Sequence, residues 1–483
     1  FHPSGAAAVH ARRPRCERRF TSRRVGSTKI YEVPATSGRA RELPNQVTMH
    51  RLLPFALLLA VPSAASAQPF FRAPIVGQGA ALVSANHHDT VADATADGGT
   101  IAAVHFDSDV VIGGRTLRSL DAGRTVALVR LDRAGRVLWS RAFAEEAGPG
   151  RPHVRAIGRV DSLADGGALV AGTFGAGGDE QGLLMRVDAQ GRTAWSVTPS
   201  VTSDYSRFVA APSPNGTAIV LGHFFRGRFQ LPGLPEWSSQ QRFTSFLAEV
   251  DLASGQVRWA RRILGEGRSL DVASDGTIFV AGQFQRQLRV GRSLVRGGAE
   301  RSAFVARYAP DGTPRDAVGY STPAEDHPRG VALTPGGGFA VLVSSGAAAS
   351  ERFELLGFDA EAQPTFRQPL GPRALIARAR GEGPILVAIP GAVRRASIRG
   401  RAYDVVDKLE LVHVSAQGTA VSRRAIRFPG VGLLARSLHA RGAGARVGLS
   451  GALASAGGSE AFQVWLDAPA PPPAVLATVG AVL

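Results

Sequence analysis

The chain has 483 residues, of which 44% are hydrophobic and 20% charged, a composition that fits a folded protein and excludes a low-complexity chain. The net charge is +17, but the basic residues after position 67 form no dense run, so we do not expect a nucleic-acid partner. The single cysteine, Cys16, lies near the start. The remainder can therefore form no disulfide, thiolate metal site or cysteine nucleophile.

The first 48 residues differ in character from the rest of the chain. They carry ten Lys and Arg against three Asp and Glu and show no hydrophobic periodicity. We expect residues 1–48 to be a disordered, non-native upstream extension, with translation starting at Met49. A basic arm that binds nucleic acid is the alternative interpretation.

Residues 49–67 have the pattern of a secretory signal peptide. His50 and Arg51 precede an apolar run over 52–61, and small residues end the segment at Ala67. Ten apolar residues are about half of the ~20 that a transmembrane helix needs. We therefore expect cleavage between Ala67 and Gln68, and an exported bacterial protein, extracellular or periplasmic, without a transmembrane segment. The portion from Gln68 onward would carry 45 basic and 36 acidic residues, a net charge of +9.

A two-part repeat then occupies most of the chain. Its first part is a polar-Gly turn, a short apolar run, and a final Phe, as in ADGGALVAGTF (164–174), PNGTAIVLGHF (214–224) and SDGTIFVAGQF (274–284), with a degraded copy at 96–106. Such short runs between glycine turns favour buried β-strands over helices.

The second part is an alternating strand, an Asp/Gly turn and a further strand. Examples are VALVRLDRAGRVLW (126–139), LLMRVDAQGRTAW (183–195) and FLAEVDLASGQVRW (246–259). Trp139, Trp195 and Trp259 hold matching places after the turn, which indicates packing between repeats. In the fourth copy Arg315 stands near that place.

One turn glycine per copy gives spacings of 47 to 68 residues, with about four strands per copy, typical of propeller blades. These glycines are Gly98, Gly166, Gly216, Gly276, Gly336, Gly383 and Gly442. We predict an all-β protein, a β-propeller of seven four-stranded blades over residues 68–470, with six or eight blades left open. A Pro-led tail occupies residues 471–483.

The repeats resemble two known groups. The run SAFVARYAPDGT (302–313) and the subsequent PGGGFAVLV resemble bacterial secreted β-propeller repeats. VDAQGRTAW and VDLASGQVRW are similar to the docking motif of quinoprotein-like propellers. The resemblance spans 93–467 and implies a propeller, in groups where many members have no catalytic role. Quinoprotein dehydrogenases carry adjacent cysteines near their cofactor, which this chain does not supply beyond residue 67, so no cofactor is expected.

The last copy ends in prolines at 469 and 471–473, which cannot donate to a ladder. We expect the final blade to lack its outermost strand. Residues 73–84 are strand-like, and we expect them to pair with the 461–467 region and so build one blade from both ends of the chain.

Candidate site residues are few. Trp237 lies in a Pro- and Gly-bearing segment over 225–242, where a loop position would suit ligand binding, with core packing as the alternative. His87, His88 and Asp89 have no nearby third ligand cluster, and the Asp107–Asp109 pair lacks the calcium-loop spacing, so no metal site is expected. His105 and His223 precede repeat phenylalanines and are interpreted as exposed strand residues. No nucleophile elbow, phosphate loop or zinc-protease motif occurs, so no catalytic residue is assigned.

Three functions remain open. The favoured one is an exported, monomeric, non-catalytic propeller that binds a protein or carbohydrate partner through its loop faces. The first alternative is a polysaccharide lyase or hydrolase, whose paired carboxylates or Tyr/His/Arg group would converge from different blades in the central funnel. The second is a structural scaffold of the cell envelope.

N-terminal sequencing of the exported protein tests the processing site. We expect the first residue to be Gln68 or an immediate neighbour, because the small residues before it fit signal peptidase. An exported species that still carries residues 1–48 would contradict this prediction.

Overall fold

Runs of Val, Ile, Leu and Ala between glycine turns form antiparallel strands throughout the part of the chain that the computed structural model describes. That part is residues 90–467, except for 107–108, 113, 120–124, 134, 144–151, 177–178, 202–205, 348–350, 379–384, 399–400, 428–431, 435–438, 444–445 and 456–457. Ala67, Gln68 and the segment 73–84 lie outside the described residues, so the predictions on them stay predictions.

The strands are grouped into successive sheets that we call blades. Blade 1 comprises β1 (Thr90–Ala94), β2 (Thr100–Phe106), β5 (Thr125–Leu131) and β6 (Val137–Ala142), with a side hairpin of β3 (Val110–Ile112) and β4 (Arg115–Leu117). Blade 2 comprises β7 (His153–Ser162), β8 (Ala168–Ala176), β9 (Asp179–Val187) and β10 (Thr193–Val197). Blade 3 comprises β12 (Ser206–Ser213), β13 (Thr217–Gln230), β14 (Trp237–Asp251) and β15 (Val257–Ile263), with the short β11 (Ser200–Val201) on β13.

The next three blades repeat the pattern. Blade 4 comprises β16 (Glu266–Val272), β17 (Ile278–Val290), β18 (Ser293–Tyr308) and β19 (Pro314–Tyr320). Blade 5 comprises β20 (Asp326–Leu333), a 3₁₀ turn (Pro335–Gly337), β21 (Phe339–Ser345), β22 (Arg352–Phe358) and β23 (Pro364–Leu370). Blade 6 comprises β24 (Leu375–Arg378), β25 (Ile385–Pro390), β28 (Lys408–Val414) and β29 (Ala420–Arg427).

A further sheet combines a hairpin inserted between β25 and β28 of blade 6 with the strands that follow β29. It contains β26 (Val393–Ile398), β27 (Arg401–Val406), β30 (Gly432–Leu434), β31 (His439–Ala443), β32 (Arg446–Ser455) and β33 (Gly458–Asp467). Within the described residues β31, β32 and β33 form a three-stranded meander. The chain after Asp467 lies outside them, so the expected absence of an outermost strand stays a prediction. Six four-stranded blades are thus seen among the described residues, within the predicted range, in addition to this closing sheet.

One edge strand of each sheet contacts an edge strand of the next, in the order β1, β7, β12, β16, β20, β24 and β31, and β31 contacts β1. We call these the innermost strands. These contacts complete a ring, which makes the protein an all-β propeller as predicted. No helix among the described residues is long and apolar enough to span a bilayer.

The middle strands of a blade are buried on both faces. β2 and β5 are buried along their whole length. Val129 packs in the cluster of blade 1, whereas Leu128 packs in a cluster shared with blade 2. The predicted alternation is therefore confirmed. Alternate side chains of the strand pack on opposite faces of the blade, and each face lies against a neighbour instead of one face lying in solvent.

The repeated tryptophans join neighbouring blades. Trp195 of blade 2 lies against Gly255, in the outer hairpin turn of blade 3, where an added Cβ would be 2.7 Å from the indole. The Trp195 Nε1 donates to the Leu252 carbonyl oxygen of the same turn at 2.9 Å. Trp139 on Gly191 and Trp259 on Gly312 repeat the contact. The prediction of equivalent inter-repeat packing is confirmed.

The place of this tryptophan in blade 4 is held by Asp316, not Arg315, because Asp316 lies opposite Arg307 just as Trp195 lies opposite Arg186. Arg307 makes a two-pronged ion pair with Asp316 at 2.6 Å and donates to the Ala360 carbonyl oxygen of blade 5. A charged pair thus replaces the indole.

Most predicted turn glycines, including Gly98 at φ 81° and Gly336 at φ 79°, adopt left-handed backbone angles. Gly442 is the exception: it lies within β31 and pairs with Val447. The assignment of Gly442 to a turn was wrong because the chain extends one residue further before it turns. Gly383 lies outside the described residues.

The Trp195–Gly255 contact yields a stability prediction. Gly255→Ala adds a strained φ of 74° and a steric clash with the indole, so we expect it to lower the free energy of unfolding by about 2–4 kcal/mol. Gly216→Ala is a matched control, because its φ is 70° with no atom within 4 Å of the added Cβ. At Gly216 the substitution should therefore cost only the strain of a positive φ, without a steric clash.

Trp195→Ala should cost about 3 kcal/mol, the low end for tryptophan because the ring is partly exposed. In the Trp195→Ala background, Gly255→Ala should cost no more than Gly216→Ala. Denaturant unfolding of the four variants measures this, and strictly additive losses would show that the ring and the turn do not interact.

Candidate functional site

Polar side chains from blades 3, 4 and 5 meet at one axial end of the ring. Each blade's innermost strand begins opposite the end of its second strand, as Arg207 pairs with His223 and Glu266 with Gln283. The same face therefore collects side chains that lie far apart in sequence. We call this group the axial cluster: Arg207, His223, Glu266, Arg268, Gln283, Arg301, Glu325, His327, Arg329 and Glu351.

Gln283 is the centre of the cluster and is only 1% exposed. Its Oε1 accepts from Arg268 Nη2 at 2.9 Å, and its Nε2 donates to the Asp326 carbonyl oxygen at 2.7 Å. The same Nε2 lies 2.9 Å from His327 Nδ1. Because an amide nitrogen only donates, His327 Nδ1 must accept, and the proton of the neutral ring lies on Nε2.

Two glutamates tie the arginines of the cluster together. Glu266 pairs with Arg268 at 2.8 Å and with Arg301 at 3.1 Å. Arg301 also approaches Glu325 at 3.7 Å, and His327 Nε2 lies 3.9 Å from that carboxylate. The guanidiniums are thus held in fixed orientations, which preorganises them for a ligand.

Arg207 differs from the other arginines. No carboxylate within the described residues pairs with it. Its guanidinium reaches back toward Gly158 of blade 2. Arg329 pairs with Glu351 and donates to Ser344 Oγ at 2.7 Å. Four guanidiniums therefore face three carboxylates, and Arg207 supplies the excess positive charge.

The two histidines of the cluster are neutral at pH 7. Burial, assisted by the Arg207 and Arg268 charges, lowers the pKa of His223 to about 4. Burial also lowers the pKa of His327. A proton added to either ring would join an already cationic group, so both rings stay neutral at pH 7.

The channel behind the cluster is crossed by Arg159 of blade 2. Its Nη1 donates to the Leu270 carbonyl oxygen of blade 4 at 3.0 Å, and its Nε pairs with Asp161 at 2.9 Å. This hydrogen bond joins blade 2 directly to blade 4, which are separated by blade 3. Leu270 lies on β16, four residues after Glu266 of the axial cluster. The cluster is therefore backed by a side chain that spans the channel.

His105, expected to be exposed, is buried. Its Nε2 accepts a hydrogen bond from the Ile157 amide of blade 2 at 3.0 Å, at a bulge that frees this N–H from its own ladder. The exposed-strand interpretation was wrong because a blade covers both faces of its second strand. His223, also expected to be exposed, is partly buried in the axial cluster.

Trp237 is not brought to the cluster. It begins β14 and pairs with Phe229, so the loop is only 231–236. Its ring stacks on Phe229 at 6.1 Å and meets Phe246 edge-on at 5.9 Å, and Arg262 lies 5.6 Å over it. These contacts give it a packing role, the alternative that the sequence left open, and its ligand-binding role stays a prediction.

Most residues considered as metal ligands lie outside the described part of the chain. His87, His88, Asp89 and Asp107 lie outside the described residues, whereas Asp109 Oδ1 accepts from the Ser119 amide at 3.0 Å. Within the described part of the chain, no three His, Cys, Asp or Glu side chains are grouped as metal ligands.

The sequence did not identify the axial cluster. Its one signal is the residue just before the repeat Phe, which is polar in four successive copies: His105, Thr173, His223 and Gln283. Counting that position across copies finds two members of the cluster. The others come from the starts of innermost strands, from loops and, for Arg301, from the third strand of blade 4, where no repeated motif marks them.

Comparison with known proteins gives fold likeness alone. No protein-family model matches the chain, and a search of curated proteins finds no match. Among solved structures, polysaccharide lyase Uly1 aligns with 84% of this chain and 94% of its own at 11% identity and a TM-score of 0.44. A subtype N11 neuraminidase-like protein of A/flat-faced bat/Peru/033/2010 aligns with 72% of this chain and 86% of its own, at 10% identity and 0.35.

An apocarotenoid oxygenase of Synechocystis is also similar, at 13% identity and a TM-score of 0.35. The match covers 58% of this chain and 61% of the oxygenase. At such low identities and TM-scores, these neighbours support no statement about activity, substrate or partner.

The low pKa of His223 makes stability depend on pH. An unfolded histidine binds its proton below about pH 6.5, whereas His223 in the folded protein stays neutral down to about pH 4. The unfolded state is therefore favoured as the pH falls from 6.5 toward 4. His223→Gln, which installs the residue that blade 4 has at this position, should reduce the loss of unfolding free energy between pH 7 and pH 5.

Arg207→Gln is the companion variant. Removing its charge should raise the pKa of His223 in an NMR titration of the imidazole, whereas removing the distant, exposed Arg133 should leave it unchanged. A His223 that titrates near 6.5 in the unmodified protein would contradict the assignment.

Proposed function

We propose that this protein is an exported, non-catalytic propeller that binds an acidic glycan through the axial cluster. The observation that carries the proposal is the group of guanidiniums at the axial end, where Gln283 and Glu266 hold Arg268 and where Arg207 has no carboxylate partner within the described residues. A guanidinium presents two parallel N–H groups that match a carboxylate or sulfate.

A glycan suits this face better than a protein partner. Specific protein interfaces have an apolar, aromatic-rich core that excludes water. The axial cluster is made of Arg, Glu, Gln and His, and the Arg268 and Arg329 side chains, each 43% exposed, can donate to the hydroxyl groups of a sugar. A carbohydrate with acid groups matches both the excess positive charge and the hydrogen-bonding groups.

The setting of the cluster supports export and binding. The 49–67 segment has the features of a signal peptide, and the blades resemble bacterial secreted β-propeller repeats, with the docking motif of quinoprotein-like propellers. Many members of those groups are not enzymes. A secreted or periplasmic protein meets acidic polysaccharides outside the cytoplasm.

A lyase is the second candidate, because a neutral histidine beside an arginine is an arrangement that β-elimination can use. His223 would take the proton from the carbon that bears the uronate carboxylate while Arg207 stabilised the charge. A C–C double bond would then form as the glycosidic C–O bond on the next carbon broke, and the departing oxygen would take the proton back from the imidazolium. A general base works best with a pKa near the operating pH. Since the pKa of His223 is about 4, the arrangement favours binding over catalysis.

Titration calorimetry with tetragalacturonate, and with the neutral galactose tetramer as control, tests the proposal. We expect the acidic oligosaccharide to bind and Arg207→Gln to weaken it about tenfold or more, as for the loss of a charge-assisted hydrogen bond. Arg133→Gln, which removes an exposed arginine in blade 1, should have no effect. Equal binding of the neutral sugar, or unchanged affinity in Arg207→Gln, would contradict the proposal.

The same samples distinguish the lyase. An unsaturated uronate product absorbs in the ultraviolet, so a rising absorbance that His223→Gln abolishes would replace binding by catalysis. A flat absorbance with intact affinity supports the non-catalytic protein.

A further inference from the structure

A β-ribbon extends from blade 4 beyond the axial cluster. The second and third strands of this blade, β17 and β18, continue past Gln285 and Arg301, and an irregularity shifts the register before Gln287 pairs with Arg296. At this corner Arg286 has a φ of 62°, which is strained for a residue with a side chain. We call residues 285–300 the basic ribbon.

The basic ribbon folds back along the outermost strand of its own blade. At its tip, a Cβ added to Gly291 would lie 2.5 Å from the Arg315 carbonyl oxygen, and near its base Val295 touches Gly319. Leu288 and Val290 are buried and join the core between blades 3 and 4. One face of the ribbon is therefore fixed against the propeller wall.

The other face is a row of arginines. Arg286, Arg289, Arg292 and Arg296 are all exposed, and no ion pair within the described residues involves them. Arg289 pairs with Leu294 and Gln287 with Arg296 across the strands, so these side chains share the outward face. The ribbon's single acidic residue is Glu300.

The row begins at the axial cluster. Gln285 lies opposite Arg301, and Arg301 pairs with Glu266 of the cluster at 3.1 Å. Because the ribbon then runs toward the start of β19, positive charge extends from the axial face over the edge of blade 4 and along its outer wall. A single extended anionic chain fits this course better than a compact ligand.

We propose that the basic ribbon is an extended binding site for a linear acidic polysaccharide, one end of which occupies the axial cluster; this rests on the proposed function. Four unpaired guanidiniums on a rigid ribbon attract a polyanion and pair with its acid groups.

A lipid surface fits less well, because interfacial binding needs inserted apolar and aromatic groups. The ribbon has no aromatic residue, and its one exposed large apolar side chain is Leu294. Single-stranded nucleic acid would require aromatic stacking partners, which are likewise missing.

The test compares Arg289→Ser/Arg296→Ser with Arg133→Ser/Arg395→Ser in the full chain. The second pair removes two exposed arginines from blade 1 and from the β26 strand, so both double variants lose the same charge. Long polygalacturonate and tetragalacturonate are the probes. We expect the ribbon variant to bind the polymer about tenfold more weakly, the sum of two exposed ion pairs, with a shallower salt dependence. Its affinity for the tetramer should be unchanged.

Each outcome decides between the proposals. If the two double variants lose polymer affinity equally, or neither does, the ribbon site is refuted while the axial site stands. If the tetramer does not bind the unmodified protein, the axial function fails, and a ribbon-dependent polymer affinity would then show a separate polyanion site. Binding to phosphatidylglycerol vesicles that requires Arg289 and Arg296, without polymer binding, would overturn the choice of polysaccharide.

Discussion

The structure depends on one constraint: the middle strands of each blade are apolar on both faces, so no blade can bury itself alone. β2 and β5 are enclosed along their whole length because a neighbour covers each side. Outer contacts fix the spacing of the blades, through Trp195 on the turn of Gly255 or through the ion pair of Arg307 with Asp316. Since the ring closes from β31 to β1, each blade is held from two sides.

The same register places polar groups at the axial end. Near the start of an innermost strand a bulge frees a backbone N–H, and a side chain of the preceding blade accepts it, as His105 accepts from Ile157 and Ser245 from Gly267. His105 thus joins blade 1 to blade 2. In blades 3 and 4 the equivalent positions, His223 and Gln283, lie beside arginines, and Gln283 also joins blade 4 to blade 5. One repeat position therefore supports the fold in one place and a candidate site in another.

The sequence predicted the propeller and the tryptophan contacts because both follow from periodicity and from local turn chemistry. Counting four residues from the turn glycine would also have corrected Arg315 to Asp316, since Trp195 and Asp316 both stand four after Gly191 and Gly312. The axial cluster was not predictable in this way. Gln283 and His327 are 44 residues apart and meet only because adjacent blades share a face.

We propose that guanidiniums at the axial end recognise an acid group on a sugar. The most direct measurement is a crystal structure of the full chain with tetragalacturonate. We expect a uronate carboxylate within hydrogen-bonding distance of Arg207, with the Arg268–Gln283–His327 contacts unchanged. A sugar bound elsewhere, with Arg207 turned away from it, would show that the axial arginines do not recognise the acid group.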